Sequence, residues 1–300
     1  MARAFGYDPP VPTMSSLSSR LSRIAVSRHW TPGRQLHDAE HFWMADPAVR
    51  AYINESVSGD PHVWSMEWFR HRFVAKPFGL VLVPGCGSGE LERDLLRQGI
   101  CERIHAFDVA APAIEAARRQ AMEEGFADRI EYRVGDLGAV SPPVGGYDAC
   151  FFHHALHHFA DPDAAVRQVV GGLKPGGILY LDEYVGPSRR QWDRRHFAFA
   201  SAVFDLIPPE LRLGSRLRIP GVLAKLADPS ESIASDRILG AVERHARILE
   251  RRDYHGFLLQ PIWTQVRHEE ELVRTLIGIE RNAAKLHPTW FTVLVAAALG

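Results

Sequence analysis

Cysteine is scarce in this chain: Cys86, Cys101 and Cys150 are the only three in 300 residues. Three scattered thiols cannot build a disulfide framework, which points to a reducing, cytoplasmic setting. A charge surplus is also missing, with 35 basic against 36 acidic residues and a formal net charge of -1. Neither a nucleic-acid footprint nor a polybasic membrane patch finds support in that balance. No apolar run reaches the ~20 residues of a membrane helix. The longest, Trp290 to Leu299, reads as a buried strand, and no signal-peptide core is visible. Repeats and low-complexity tracts are absent too. The sequence leaves self-association into a homo-oligomer open.

What is present is ordinary globular composition, 46% hydrophobic and 24% charged, arranged in five parts. Residues 1–28 are rich in Pro, Ser and Arg and read as a flexible leader. Residues 29–78 are aromatic-rich (Phe42, Trp43, Tyr52, Trp64, Trp68, Phe69, Phe73) and read as a helical N-terminal lid of two or three helices. From 79 to 185 strands and helices alternate. Strands are expected at Val81–Val83, Arg103–Phe107, Ile130–Val134, Tyr147–Phe152 and Ile178–Leu181, the last preceded by a turn at Lys174-Pro175-Gly176-Gly177. The helix starting near Pro112 should bury Ile114, Ala117, Ala121 and Met122, and Asp161 should cap the helix carrying Val166, Val169 and Val170. Residues 186–244 read as a helical insertion over the active site, with Trp192, His196, Phe199, Val203 and Ile207 on one face and helix starts at Asp228-Pro229-Ser230-Glu231 and Ser235-Asp236. Residues 245–300 complete the core: a strand at Ala246–Leu249, a helix at Glu269–Ala284 and a last strand at 290–299. Such alternation predicts an α/β fold with a mostly parallel sheet and helices on both faces.

The most informative stretch is Pro84-Gly85-Cys86-Gly87-Ser88-Gly89-Glu90, where a buried strand breaks into three alternating glycines and passes into a helix. Glycine there lets the backbone approach a ligand closely. In an open parallel sheet the ligand binds outside the carboxyl ends of the strands. Asp108 ends the second strand about twenty residues on, where a carboxylate accepts hydrogen bonds from ribose hydroxyls. Asp136, after the third strand, is placed to accept from an exocyclic amine such as that of adenine. The Gly-x-Gly-x-Gly spacing disfavours a nicotinamide dehydrogenase, whose signature is Gly-x-Gly-x-x-Gly.

Together these segments resemble the class I S-adenosylmethionine-dependent methyltransferases. Pro84 to Gly89 is similar to their first motif, Ala106-Phe107-Asp108-Val109 to their ribose-binding strand end, and Val134-Gly135-Asp136-Leu137 to their adenine-contacting motif. Tyr147 to His158 is similar to their fourth-strand motif, and Leu173 to Gly177 to the turn before their fifth strand. The resemblance implies a Rossmann-like sheet of seven strands with the last antiparallel. It implies S-adenosyl-L-methionine as cofactor, held by Gly85, Cys86, Gly87, Gly89, Asp108, Val109, Asp136, Leu137 and His153. One departure stands out: many members carry an acid at the position of Val83, and Glu90 is a nearby acid that could substitute for it.

The reaction so implied is methyl transfer to a small organic acceptor, foremost O-methylation of a natural product or sugar. The alternative is a protein that binds the same cofactor without methylating. A hydroxyl acceptor calls for a base, and histidine is the usual one near neutral pH. His157 is the first candidate and His154 the second, with Glu183 orienting the base or the acceptor; Trp43, Trp64 and Tyr184 are expected to line the acceptor pocket. The pairs His153/His157 and His154/His158 have the i, i+4 spacing of some zinc sites, but only on a helix. Because this stretch leaves a strand, no metal is expected.

Overall fold

Alternating side chains along four central strands explain why this sheet is buried on both faces. Val81, Val83, Ala149, Phe151, Tyr180, Tyr184, Val293 and Val295 join one apolar cluster. Their neighbours Leu82, Cys150, Phe152, Leu179, Leu181, Leu294 and Ala296 join another on the opposite face. The structure is a computed structural model and describes residues 42–139, 146–188, 193–218 and 231–299. Residues 1–41, and with them the expected leader, lie outside the described residues, as do Trp192 and Asp228 to Ser230.

A 3-10 turn at Trp43–Ala45 leads into α1 (Pro47–Ser58) and α2 (Ser65–Phe73). The sheet strands follow as β1 (Phe78–Pro84), β2 (Cys101–Asp108), β3 (Ile130–Val134), β4 (Tyr147–His153) and β5 (Leu173–Tyr184). Between them lie α3 (Glu90–Arg97), α4 (Ala111–Glu123) and α5 (Pro162–Gly171). Then come α6 (Arg194–Leu206), α7 (Ile238–His245), β6 (Ala246–His255), α8 (Leu259–Trp263), α9 (Glu270–Ala283) and β7 (Phe291–Ala298). The strand order is β3-β2-β1-β4-β5-β7-β6. Strands β1 to β5 pair in parallel, and β7 runs antiparallel to both β5 and β6. The seven-stranded α/β sheet with an antiparallel last strand is therefore present as expected.

Several local expectations change. The Lys174-Pro175-Gly176-Gly177 turn is absorbed into β5 as an irregularity, because the register jumps from Tyr147↔Leu173 to Ala149↔Ile178. Asp148 ties that corner together, accepting from Leu80 N–H at 2.9 Å and from Lys174 Nζ at 2.6 Å. Strand β6 runs six residues past Leu249, to His255, through the charged run Glu250 to Asp253. Met122 is 67% exposed rather than buried, since Ile114, Ala117 and Ala121 already fill the inner face of α4. Asp161 caps α5 as expected, accepting from Ala164 N–H at 3.0 Å. Helix α2 lays Phe69 against Phe151 and Tyr180 of the sheet at centroid distances of 5.4 and 5.0 Å.

Candidate functional site

The glycine loop is lashed to the end of β2. Gly85 N–H and Cys86 N–H both donate to the Phe107 carbonyl, at 2.8 and 3.1 Å. Gly87 N–H donates to Asp108 Oδ2 at 2.9 Å, and Ala110 N–H to Oδ1 at 2.8 Å. Burial pushes the Asp108 carboxyl up, against the pull of these backbone donors. Gly85 sits at φ +69°, and a Cβ there would lie 2.8 Å from the Ala155 methyl, so the loop after β4 closes directly onto it. Gly87, at φ +52°, has nothing within 4 Å of where a Cβ would stand. Open space over a backbone that none of the described residues fills fits a ligand cradle. Val109 follows Asp108, and Asp136 stands half-buried after β3. Leu137 is buried, its carbonyl accepting from Gln168 Nε2 at 2.7 Å.

The histidine stretch divides between the two faces of the sheet. Glu183 is fully buried on one face and accepts from Ala155 N–H and Leu156 N–H, both at 2.5 Å, and from His157 Nδ1 at 2.7 Å. Burial would raise its carboxyl, but His157 and these donors hold it below the ordinary carboxylate value, so it is ionised. Asp182, one residue earlier, points to the opposite face. Tyr254 Oη donates to its Oδ1 at 2.6 Å and Ser65 Oγ to its Oδ2 at 3.3 Å. His153 Nε2 and His154 Nε2 each stand 3.9 Å from an Asp182 oxygen. His154 has φ +50°, its N–H donating to the Asp182 carbonyl at 2.8 Å, and burial pushes its imidazole down to about 4.

The helical pairing of histidines does not form: His153 ends β4 and only Leu156–His158 turns, as a 3-10 helix. Potential ligand atoms instead gather as His153, His154 and Asp182, and as His157, His158 and Glu231, each set within 4.8 Å.

Of the aromatic residues expected at the acceptor, Tyr184 and Trp43 meet through Phe291, at centroid distances of 5.2 and 5.3 Å. The Tyr184 ring also stands 6.2 Å from that of His157. Trp64 stays 54% exposed beneath the Arg50 guanidinium at 4.6 Å, while its neighbour Ser65 reaches Asp182. Glu90 is exposed at the start of α3. Ser65, Asp182, Tyr254 and Phe291 belong to the same neighbourhood but escaped the sequence reading as site residues. For Asp182 the signal was there, because strand alternation sends it opposite to Glu183.

A family profile described as "Methyltransferase domain" matches residues 82–181. A ubiquinone biosynthesis O-methyltransferase of Methylocella silvestris is 32% identical over 153 residues, 47% of this chain and 57% of that protein. Its namesake in Xanthomonas campestris pv. campestris is 37% identical over 111 residues, 36% of this chain and 44% of that one. The chain thus spans about half the length of the curated relatives it matches. The solved geranyl diphosphate C-methyltransferase of Streptomyces coelicolor, in complex with S-adenosyl-L-homocysteine, shares the fold. Its TM-score is 0.55 at 13% identity, covering 93% of this chain and 98% of that one. No described helix is long and apolar enough to cross a membrane.

Proposed function

We propose that the protein is a class I S-adenosylmethionine-dependent methyltransferase that transfers a methyl group to a small organic acceptor, with oxygen as the acceptor atom, a reading supported by the methyltransferase-domain profile over residues 82–181. The observation that carries this reading is the Gly85–Gly89 loop hydrogen-bonded to Asp108, with open space over Gly87. Gly85, Cys86, Gly87 and Gly89 would hold the methionine part, Asp108 and Val109 the ribose, and Asp136 and Leu137 the adenine. When bound, the cofactor supplies an electrophilic methyl on a sulfonium that already carries its leaving group.

The chain's own contribution is to orient the acceptor and take up its proton. Glu183 accepts from His157 Nδ1 and orients its ring, and His157 is the first candidate to take up the acceptor's proton. His154 is the second candidate. Tyr184, Phe291 and Trp43 offer aromatic faces to a ring-bearing acceptor, and the O-methyltransferase names of the relatives favour a hydroxyl on it. Natural products and sugars with a free hydroxyl, quinol-like rings included, are the acceptor classes.

Calorimetric titration with S-adenosylmethionine tests the premise for this full chain. Wild type is expected to bind in the micromolar range. Asp108→Ala should bind about 10- to 100-fold more weakly, the worth of a hydrogen bond to a charged group. A wild type that does not bind sinks the reading. His157→Ala is expected to lower turnover by ~10²-fold or more at unchanged cofactor affinity, and an equal fall in affinity would mark His157 as packing only.

A further inference from the structure

We propose that His153, His154 and Asp182 form a binding site for a late first-row divalent cation of the zinc class. Their potential ligand atoms lie within 4.8 Å of one another at the carboxyl ends of β4 and β5. The donor set is two imidazoles and one carboxylate, a combination that binds such cations and leaves coordination positions open.

The spacing separates this cluster from an ordinary hydrogen-bonded one. His157 Nδ1 and Glu183 Oε2, in the same loop region, meet at 2.7 Å. Both imidazoles of the cluster stop 3.9 Å from Asp182, beyond hydrogen-bond reach. Ligands about 2.0–2.1 Å from a tetrahedral zinc stand roughly 3.3 Å apart, so a cation would draw the two contacts to Asp182 inward by about half an ångström, and the widest pair of the set, within 4.8 Å, by up to about 1.5 Å.

Asp182 is held as a metal-bound carboxylate is held. Each of its oxygens accepts one hydroxyl, from Tyr254 on β6 and from Ser65 at the start of α2. That fixes the carboxylate's orientation and leaves a lone pair on each oxygen for a cation. His154 sits in a left-handed conformation at φ +50°, uncommon for a non-glycine residue, with its N–H bound to the Asp182 carbonyl. This one bond sets its ring beside the Asp182 carboxylate. The His153 side chain is 43% exposed and gives a cation a way in.

The test is titration of the full chain, stripped with a chelator, with Zn(II) or Co(II), read by calorimetry, elemental stoichiometry and the Co(II) visible spectrum. One ion per chain is expected. His153→Ala and Asp182→Asn should each weaken binding at least ~100-fold, the upper range for loss of a supporting group around a metal. His158→Ala should leave affinity unchanged, which separates this site from the His157, His158 and Glu231 group. If Asp182→Asn fails to fold, the half-exposed His153 decides alone. Micromolar cation without binding, or binding lost in His158→Ala and kept in His153→Ala, overturns the proposal. The titration contains no S-adenosylmethionine, so its outcome is independent of the methyl-transfer reading.

Discussion

Glu92 has no accessible surface, and neither of its carboxyl oxygens finds a hydrogen-bond partner. Burial pushes it up to about 8, with the pull of Arg93 too weak to offset the lost hydration. It lies beside Cys86, under the glycine loop. The folded protein therefore keeps a proton that the unfolded chain releases near 4.5. The sign follows: stability from this group is complete below about 4.5 and is lost as pH rises to about 8. Denaturant unfolding at pH 5, 7 and 9 should show Glu92→Gln gaining on wild type as pH rises, and a constant difference would refute the buried, protonated carboxyl. Sequence pattern could not single out this residue. Glu90 and Glu92 flank Leu91 in one acidic turn, and only the packing of α3 against Tyr132 and Cys101 decides which acid goes inside. Asp182 and Glu183 pose the same problem, solved by strand alternation once the extent of β5 is known.

Among elements, the β1–loop–α3 unit leaves least freedom. Gly89 stands at φ +75° as the first cap of α3, and a Cβ there would collide with the Tyr132 hydroxyl and the Ala117 methyl. Gly89→Ala is expected to cost well over the ~1–2 kcal/mol of a left-handed alanine and to weaken cofactor binding, checked by denaturant melts alongside calorimetry. Glycine spacing made this unit readable from sequence alone. Strand β6 was readable only to Leu249: the charged run Glu250, Arg251, Arg252 and Asp253 breaks the apolar pattern, yet Arg72 and Arg252 pair with Glu250 at 2.7 and 2.5 Å on an edge strand of the sheet. A charged edge strand resists further strand pairing, which is a reason for such residues there. That misreading also hid Tyr254, and so the partner of Asp182.

Across the whole molecule, the segment before β1 meets the sheet through Phe69, which is fully buried against Phe151 and Tyr180, through Trp43 on Phe291, and through α1 beside β6. Phe69→Ala should destabilise the fold by about 3–5 kcal/mol in equilibrium unfolding. A cost below 1 kcal/mol would mean that α2 moves independently of the core. The parallel half of the sheet was legible because the ends of β1, β2 and β3 carried a glycine or an acid and β4 ran into its histidines. The segment 186–244 was less so, since irregular turns such as Pro209–Leu211 and Ser235–Arg237 have no period to read.

Strand β7 comes after every other described strand yet lies between β5 and β6. On the ribosome, β5 emerges more than a hundred residues before the strand that covers its outer edge. At ~5–20 residues per second that interval is on the order of ten seconds. Throughout it, the outer edge of β5 in a nascent five-strand sheet has no strand to pair with. The antiparallel last strand thus leaves the edge of β5 unpaired until residues 291–298 have been made.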